Sequence, residues 1–393
     1  MSYILDLSLL LVFAKSLEWL FEKREIHPII AHVLTGVILG PFVLGIVVPG
    51  EELKVLSEFG LIMMMLYTGL TSNFSAISIN KFKATVVAFL GVAFSFMFGY
   101  GTVTFFGYGT ATAIFVGAVL GNTAIEVTSG VIMRERVDRN VSSILMGAAF
   151  ADDIMAVYLI GVITALSRGA FSPLDMLFLT VRIVVFIVAV LVFSELVFKR
   201  SRRINFLIRD LNTFFTFTLV LTFLLALLAE EAGLNRIIGA YLAGLTISRL
   251  RERKDPLIIS RIKLNELIGE LQVVLTEFFI PLFFIYVGLV FNPPVSEISL
   301  ALIAALYMAA VLGKLLGCSL GMRLFRFDWN RSLMVGIGMG GRGSLELAIL
   351  KFGLDTGLIN QLIFASIVIV SMLTALTTPQ FFKLYVRMVK RKA

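Results

Sequence analysis

Charged side chains are scarce in this chain: Asp, Glu, Lys and Arg make up 15% of its 393 residues. A soluble domain carries about 25%, because it must face water. Set beside 59% apolar residues and 35 Phe, the shortage excludes a cytosolic enzyme, a nucleic-acid binder and a disordered scaffold. One cysteine, Cys318, closes no intramolecular disulfide, so no disulfide-stapled extracellular domain is expected. Two histidines, His27 and His32, leave no metal cluster to build. Both stand near the start of an apolar span, where pH sensing is the functional reading and ordinary structure the plainer one. No loop is long enough to hold a folded regulatory domain, and no cofactor is called for. The first apolar stretch runs a full span, unlike a cleavable signal.

What is abundant is apolar sequence in blocks of membrane-crossing length. A helix needs about 20 largely apolar residues to cross a bilayer. By that ruler thirteen spans lie near 3–21, 27–48, 53–72, 82–106, 111–133, 142–166, 173–198, 212–232, 235–249, 270–291, 297–323, 330–352 and 360–386. The loops test the count, because short cytoplasmic loops are enriched in Lys and Arg. Loops after odd-numbered spans, with the C-terminal tail, carry 26 basic residues, from Lys23 and Arg24 to Lys392. The opposite side carries 4: Lys54, Arg168, Arg236 and Lys351. A missed span would scramble that split. The expected protein is an all-α polytopic membrane protein of the cytoplasmic membrane, N-terminus outside and C-terminus inside. Its net charge of +8 faces anionic lipid headgroups, and no nucleic acid.

The chain also repeats itself. Residues 57–73 (SEFGLIMMMLYTGLTSN) align without gaps on 276–292 (TEFFIPLFFIYVGLVFN), matching Glu58/Glu277, Phe59/Phe278, Tyr67/Tyr286, Gly69/Gly288, Leu70/Leu289 and Asn73/Asn292. The same offset of 219 pairs Gly117 with Gly336 and Gly121 with Gly340, and an offset of 208 pairs Gly36 with Gly244. Spans 2–6 thus map onto spans 9–13. A shift of seven spans reverses orientation, which gives the inverted repeat of secondary transporters, with a site at the repeat interface. Interrupted spans at equivalent positions mark such a site. Span 5 (GAVLGNTAIEVTSGV) and span 12 (GIGMGGRGSLELAIL) are interrupted in this way.

Charges inside spans each need a reason, since one at mid-membrane costs about 2.5–3.5 kcal/mol on insertion scales. Asp152 and Asp153 are adjacent in span 6. Neighbours on a helix point about 100° apart, so one can hold a counter-ion while the other faces a water-filled cavity. Two nearby carboxylates resist double ionisation, which suits a site that takes either H+ or a metal cation such as Na+. Lys314, deep in span 11, needs a carboxylate of span 6, and Asp152 is the expected partner. Asn122 and Thr123 offer side-chain oxygens beside helix ends that present carbonyls to cations, a donor set for hard monovalent ions. Glu126, Arg342 and Glu346 form a second charge group, in which Arg342 is expected to pair with Glu126 or Glu346 and keep the crossing neutral. Asp6, Lys15, Glu18, Glu58, Arg182, Glu195 and Glu277 lie near span ends or reach an interface.

The Asp-Asp pair, the GKLLG lysine, the interrupted spans 5 and 12, HPIIAHVLTGVILGP and IPLFFIYVGL together resemble the sodium/proton antiporters, the electrogenic branch of the monovalent cation:proton antiporter superfamily. The resemblance covers essentially the whole chain. It implies the sodium/proton antiporter fold, with two crossing discontinuous helices. It also implies a mobile core of residues 82–166 and 297–386, a scaffold and homodimer interface of 1–72 and 212–291, and a linking span at 173–198. Asp153 would be the principal cation and proton carrier, Asp152 would be bridged to Lys314 when no cation is bound, and two protons would exchange per sodium. Two departures stand beside the site: Ser344 where relatives often carry an acid, with Glu346 two residues on, and the acid Glu126 in span 5.

The expected activity is exchange of Na+ or Li+ for H+ by alternating access, with no enzymatic step. K+/H+ exchange on the same fold is the alternative, and a sodium-coupled organic-solute symporter stands third. An intramembrane aspartyl protease needs its two carboxylates on different helices, and adjacency on one helix counts against it.

Overall fold

The computed structural model describes residues 3–24, 26–71, 80–124, 126–135, 137–167, 173–195, 210–232, 234–249 and 259–392. Among these residues every regular element is a helix, the one open-ended structure that satisfies its own backbone in lipid. The helices are α1 (Tyr3–Glu22), α2 (Pro28–Leu39), α3 (Glu51–Thr71), α4 (Lys81–Phe105), α5 (Thr110–Leu120), α6 (Glu126–Arg134), α7 (Arg139–Ser167) and α8 (Pro173–Ser194). They continue with α9 (Leu211–Glu231), α10 (Arg236–Ser248), α11 (Ile259–Val274), α12 (Ile280–Leu289), α13 (Leu300–Leu324), α14 (Trp329–Gly338), α15 (Ser344–Asp355) and α16 (Gln361–Lys392). Each of the thirteen expected intervals holds helix. Six helical stretches among the described residues are both long and apolar enough to cross a membrane. Arg136, Arg168, the basic residues from Lys199 to Arg209, Arg251, Arg253, Lys254 and Asn73 lie outside the described residues, as does the side chain of Glu126.

Two boundaries differ most from the sequence expectation. Span 2 was expected to reach residue 48, but α2 ends at Leu39, where Gly40 caps it through a 2.8 Å bond to the Gly36 carbonyl and Pro41 follows. Proline disfavours helix at the residue before it. Span 10 was expected to begin near 270, yet helix starts at Ile259. Arg261 and Lys263 therefore stand on α11, which continues through a π turn at Leu275–Phe279 into α12. Pro281 offers no N–H to the carbonyl of Glu277, and the loosened turn lies at that gap. Elsewhere the starts are set by side-chain caps: Asp210 accepts from Thr213 N at 3.0 Å, Asn235 from Ile237 N at 3.0 Å, and Asp328 from Arg331 N at 3.2 Å.

Packing divides the chain into two compact units, one of Met1–Pro49, Ala76–Leu159 and Phe284–Ala393, the other of Gly50–Ser75 and Ile160–Phe283. In the first unit α2 and α12 meet at Gly36 and Gly288. A Cβ on Gly36 would press on the Ile285 carbonyl and sit 2.7 Å from Leu289 N, and one on Gly288 would press on the Val33 carbonyl. In the second unit α3 and α10 meet at Gly69 and Gly244. There the obstructed carbonyls are those of Tyr241 and Leu66. The repeat offsets carry Val33 to Tyr241 and Leu66 to Ile285, so the two crossings are copies atom for atom. Without a hydrophobic drive between helices in lipid, close backbone approach at small residues is what joins them. The same offset relates Gly117, set against the Phe96 carbonyl, to Gly336, set against that of Leu315.

At the chain's far end Glu135, just past α6, receives Arg387 Nε at 2.9 Å and Nη2 at 2.7 Å, and Lys390 donates to its carbonyl. The guanidinium holds the Glu135 carboxyl below the usual carboxylate range. This tie is present at neutral pH and is lost as pH falls through that lowered value. The glycine crossings give a stability test. Gly36→Val and Gly69→Val should each lower Tm in detergent, by about 1–3 kcal/mol or more of overpacking. Gly101→Ala, in α4 with nothing within 4 Å, should leave Tm level or raise it; equal effects at all three positions would contradict the copied crossings.

Candidate functional site

Two broken helices cross inside the first unit. Among the described residues the α5–α6 break spans 121–124 and the α14–α15 break spans 339–343. They bond directly to each other: Ala124 N–H donates to the Gly341 carbonyl at 2.8 Å, Thr123 Oγ1 to Met339 O at 3.1 Å, and Thr128 Oγ1 to Gly338 O at 3.2 Å. Gly341 makes room for this. A Cβ on Gly341 would stand 3.1 Å from the Val127 side chain and 3.2 Å from the Ala124 carbonyl. Arg342, 1% exposed, donates from Nη1 to the Asn122 carbonyl at 3.1 Å and from Nη2 to Ala310 O on α13 at 3.3 Å. A guanidinium thus sits at the carbonyl end of α5, where the helix dipole favours positive charge. The helix-end carbonyl that a transported cation was expected to meet already serves this resident cation.

Beside the crossing, α7 carries Asp152, buried at 1% exposure, and α13 carries Lys314, at 0%. The Lys314 ammonium donates to Asp152 Oδ2. Removing two charges from water is costly, and direct contact in a low-dielectric interior offsets that cost. Opposite the lysine, α4 presents Gly91 to α13, where a Cβ would stand 2.5 Å from Cys318 Sγ and 3.5 Å from Lys314 Cδ. The neighbouring α4–α13 contacts are equally close, with Gly313 on Ser95 and Gly317 on Gly91. Asp152 Oδ1 and Asn122 Oδ1 are both buried and have no hydrogen-bond partner. Buried polar atoms are nearly always satisfied, so each of these oxygens can accept a further donor or a cation. Asp153, one residue on, is half-buried and points to another side of α7.

Of the second charge group, Glu346 is fully buried with Arg342 Nη1 3.7 Å from its Oε1. Glu126 heads α6, and its side chain lies outside the described residues. The structure therefore brings together Asn122, Thr123, Asp152, Lys314, Arg342 and Glu346 at one crossing. Sequence reasoning missed Gly91 and Thr128. A small residue in α4 opposite a buried lysine was the available signal for the first; a hydroxyl four residues after a break was a weaker one for the second. His32 is buried too, with Nε2 3.1 Å from Glu18 Oε2, which also meets Lys15 at 2.9 Å.

The Lys314–Asp152 pair generates its own test. Lys314→Met strands a buried carboxylate and should cost about 3–5 kcal/mol, seen as a large fall in detergent Tm. Adding Asp152→Asn should recover much of the loss. A single variant with wild-type Tm would deny the pair a structural role.

The family model described as sodium/hydrogen exchanger, transmembrane, matches residues 8–386. The Na(+)/H(+)-K(+) antiporter GerN of Bacillus cereus is 28% identical over 383 residues, covering 97% of this chain and 95% of that protein. A Na(+)/H(+) antiporter of Enterococcus hirae is 28% identical over 393 residues, covering 99% of each. Among solved structures, the sodium proton antiporter MjNhaP1 of Methanocaldococcus jannaschii at pH 8 superposes with a TM-score of 0.77 at 16% identity, over 98% of this chain and 94% of that one. That likeness gives the fold. The family model, spanning nearly the whole chain, gives the membership: this polytopic membrane protein belongs to the sodium/hydrogen exchanger transmembrane family.

Proposed function

We propose that the chain exchanges Na+ or Li+ for H+ across the cytoplasmic membrane by alternating access, with its N-terminus outside and its C-terminus inside. The observation that carries this reading is the division of labour between adjacent carboxylates. Asp152 is neutralised by Lys314, while half-buried Asp153, the next residue on α7, is turned to another side of that helix. An ionised Asp153 attracts a dehydrated monovalent cation, and a protonated one does not. One carboxylate that takes either species, but never both, is sufficient for antiport when it faces each side in turn. No covalent bond is made or broken, so the protein is a transporter and no enzyme.

Arg342 and Lys314 keep the crossing close to neutral, which lets the site move through a low-dielectric barrier. The moving body in this proposal comprises residues 82–166 and 297–386. Residues 1–72 and 212–291 form a scaffold through which two chains pair, and 173–198 link the parts. Thr123 holds the crossing through Met339 while its remaining lone pair faces the cation. Potassium is the second candidate cargo, favoured by one observation: the GerN relative is named for Na+, H+ and K+.

In proteoliposomes with an imposed pH gradient and an internal pH dye, Na+ and Li+ should each collapse the gradient. Asp153→Asn should reduce that collapse to the level of empty vesicles. Collapse by K+ alone would keep the mechanism and change the cargo. A gradient untouched by Na+, Li+ and K+ over pH 6–9 would sink the antiport reading and promote a sodium-coupled symporter.

A further inference from the structure

Glu346 is left unexplained by a mechanism that runs on Asp153. It lies in the first turn of α15 at 0% exposure, and neither carboxyl oxygen has a hydrogen bond. Its nearest cation, Arg342, stands 3.7 Å away and directs two of its N–H groups to the carbonyls of Asn122 and Ala310. The Ser371 hydroxyl on α16, also beside Glu346, donates instead to the Ile367 carbonyl at 2.9 Å. A buried carboxylate anion that receives no hydrogen bond leans chiefly on the Arg342 charge 3.7 Å away, and a proton removes the remaining cost.

The charged groups around it can be named. Arg342 comes from its own segment, Lys314 faces it from α13, and Asp152 on α7 acts on it through the shared Arg342. Glu126 heads α6, its side chain outside the described residues. We infer that Glu346 is a second proton-binding site of the exchange cycle, loaded while the cation site is empty and emptied when the cation binds. This rests on the cation/proton exchange proposed above.

Charge counting gives the inference its consequence. With Na+ on ionised Asp153, ionised Glu346, and Asp152, Lys314 and Arg342 all charged, the cluster sums to zero. With Na+ gone and both Asp153 and Glu346 protonated, it sums to one positive charge. Binding Na+ breaks two O–H bonds, sends both protons to water, and replaces hydration waters of Na+ with carboxylate oxygen. Two H+ then cross for each Na+, and one net charge moves per cycle. Were Glu346 a permanent anion, one H+ would cross for each Na+ and no net charge would move.

Proteoliposomes loaded for Na+ flux, with the membrane potential clamped by a potassium gradient and valinomycin, read this directly. Wild type should exchange two H+ per Na+ and respond to the potential. Glu346→Gln should still exchange, at one H+ per Na+, with the response to potential gone. An unchanged ratio and unchanged potential response in Glu346→Gln overturns the inference. If that variant fails to assemble, wild-type protein labelled with carbon-13 glutamate supplies the second reading. Adding Na+ should then remove a protonated-carboxyl infrared band that carries the isotope shift and survives Glu126→Gln. No such labelled band, or its loss in Glu126→Gln, also overturns the inference. Wild type that moves no H+ with Na+ fails the exchange reading itself, whereas exchange with an unaltered Glu346→Gln ratio fails the inference alone.

Discussion

A charge inside a membrane protein must be neutralised where it stands, and in the first unit that requirement organises almost everything near the crossing. Lys314 would not be tolerated at 0% exposure without Asp152, nor Arg342 without the Asn122 and Ala310 carbonyls. Those partners demand close helix approach. Gly91 and Gly317 let α4 and α13 come together around the lysine, and Gly341 lets the two breaks bond to each other. Packing here serves electrostatics. The result is a crossing whose fixed charges are largely balanced, so that one further cation or proton decides its net charge.

The inverted repeat supplies the scaffold for that arrangement at low sequence cost. One pattern of glycines is used twice, at Gly36 and Gly288 in one unit and at Gly69 and Gly244 in the other, with the corresponding carbonyls facing each. The functional residues do not obey the repeat. Asp152, Asp153 and Lys314 have no matching partners at the offset of 219, and Arg342 has none either. Symmetry thus builds the frame, and departures from it carry the proposed chemistry.

Much of this frame was legible because its signals are local and strong. Apolar runs of span length, basic loop residues and recurring glycines located thirteen helical intervals and both broken helices. The start of α11 at Ile259 was missed because Arg261, Lys263, Glu266 and Glu270 interrupt the apolar run while remaining compatible with an amphipathic helix. The end of α2 at Leu39 was available in Gly40-Pro41, but the apolar residues beyond it outweighed that signal. At the site, side chains with charge announced themselves. Backbone acceptors did not: nothing in the sequence marks the Asn122 and Ala310 carbonyls as the hydrogen-bond partners of Arg342. Nor does it distinguish a carboxylate that receives donors from one, like Glu346, that receives none.

The central claim is that cation and proton compete for the same buried carboxyl chemistry beside a pre-neutralised ion pair. Equilibrium binding of radioactive Na+ to the purified protein across a pH series tests it most directly, without any membrane or gradient. Competition by one proton weakens Na+ binding about tenfold for each unit of acidification, and competition by two about a hundredfold. The account predicts a dissociation constant that climbs steeply as pH falls, at the two-proton slope when both Asp153 and Glu346 are loaded. A Na+ affinity that stays level across the series would contradict it.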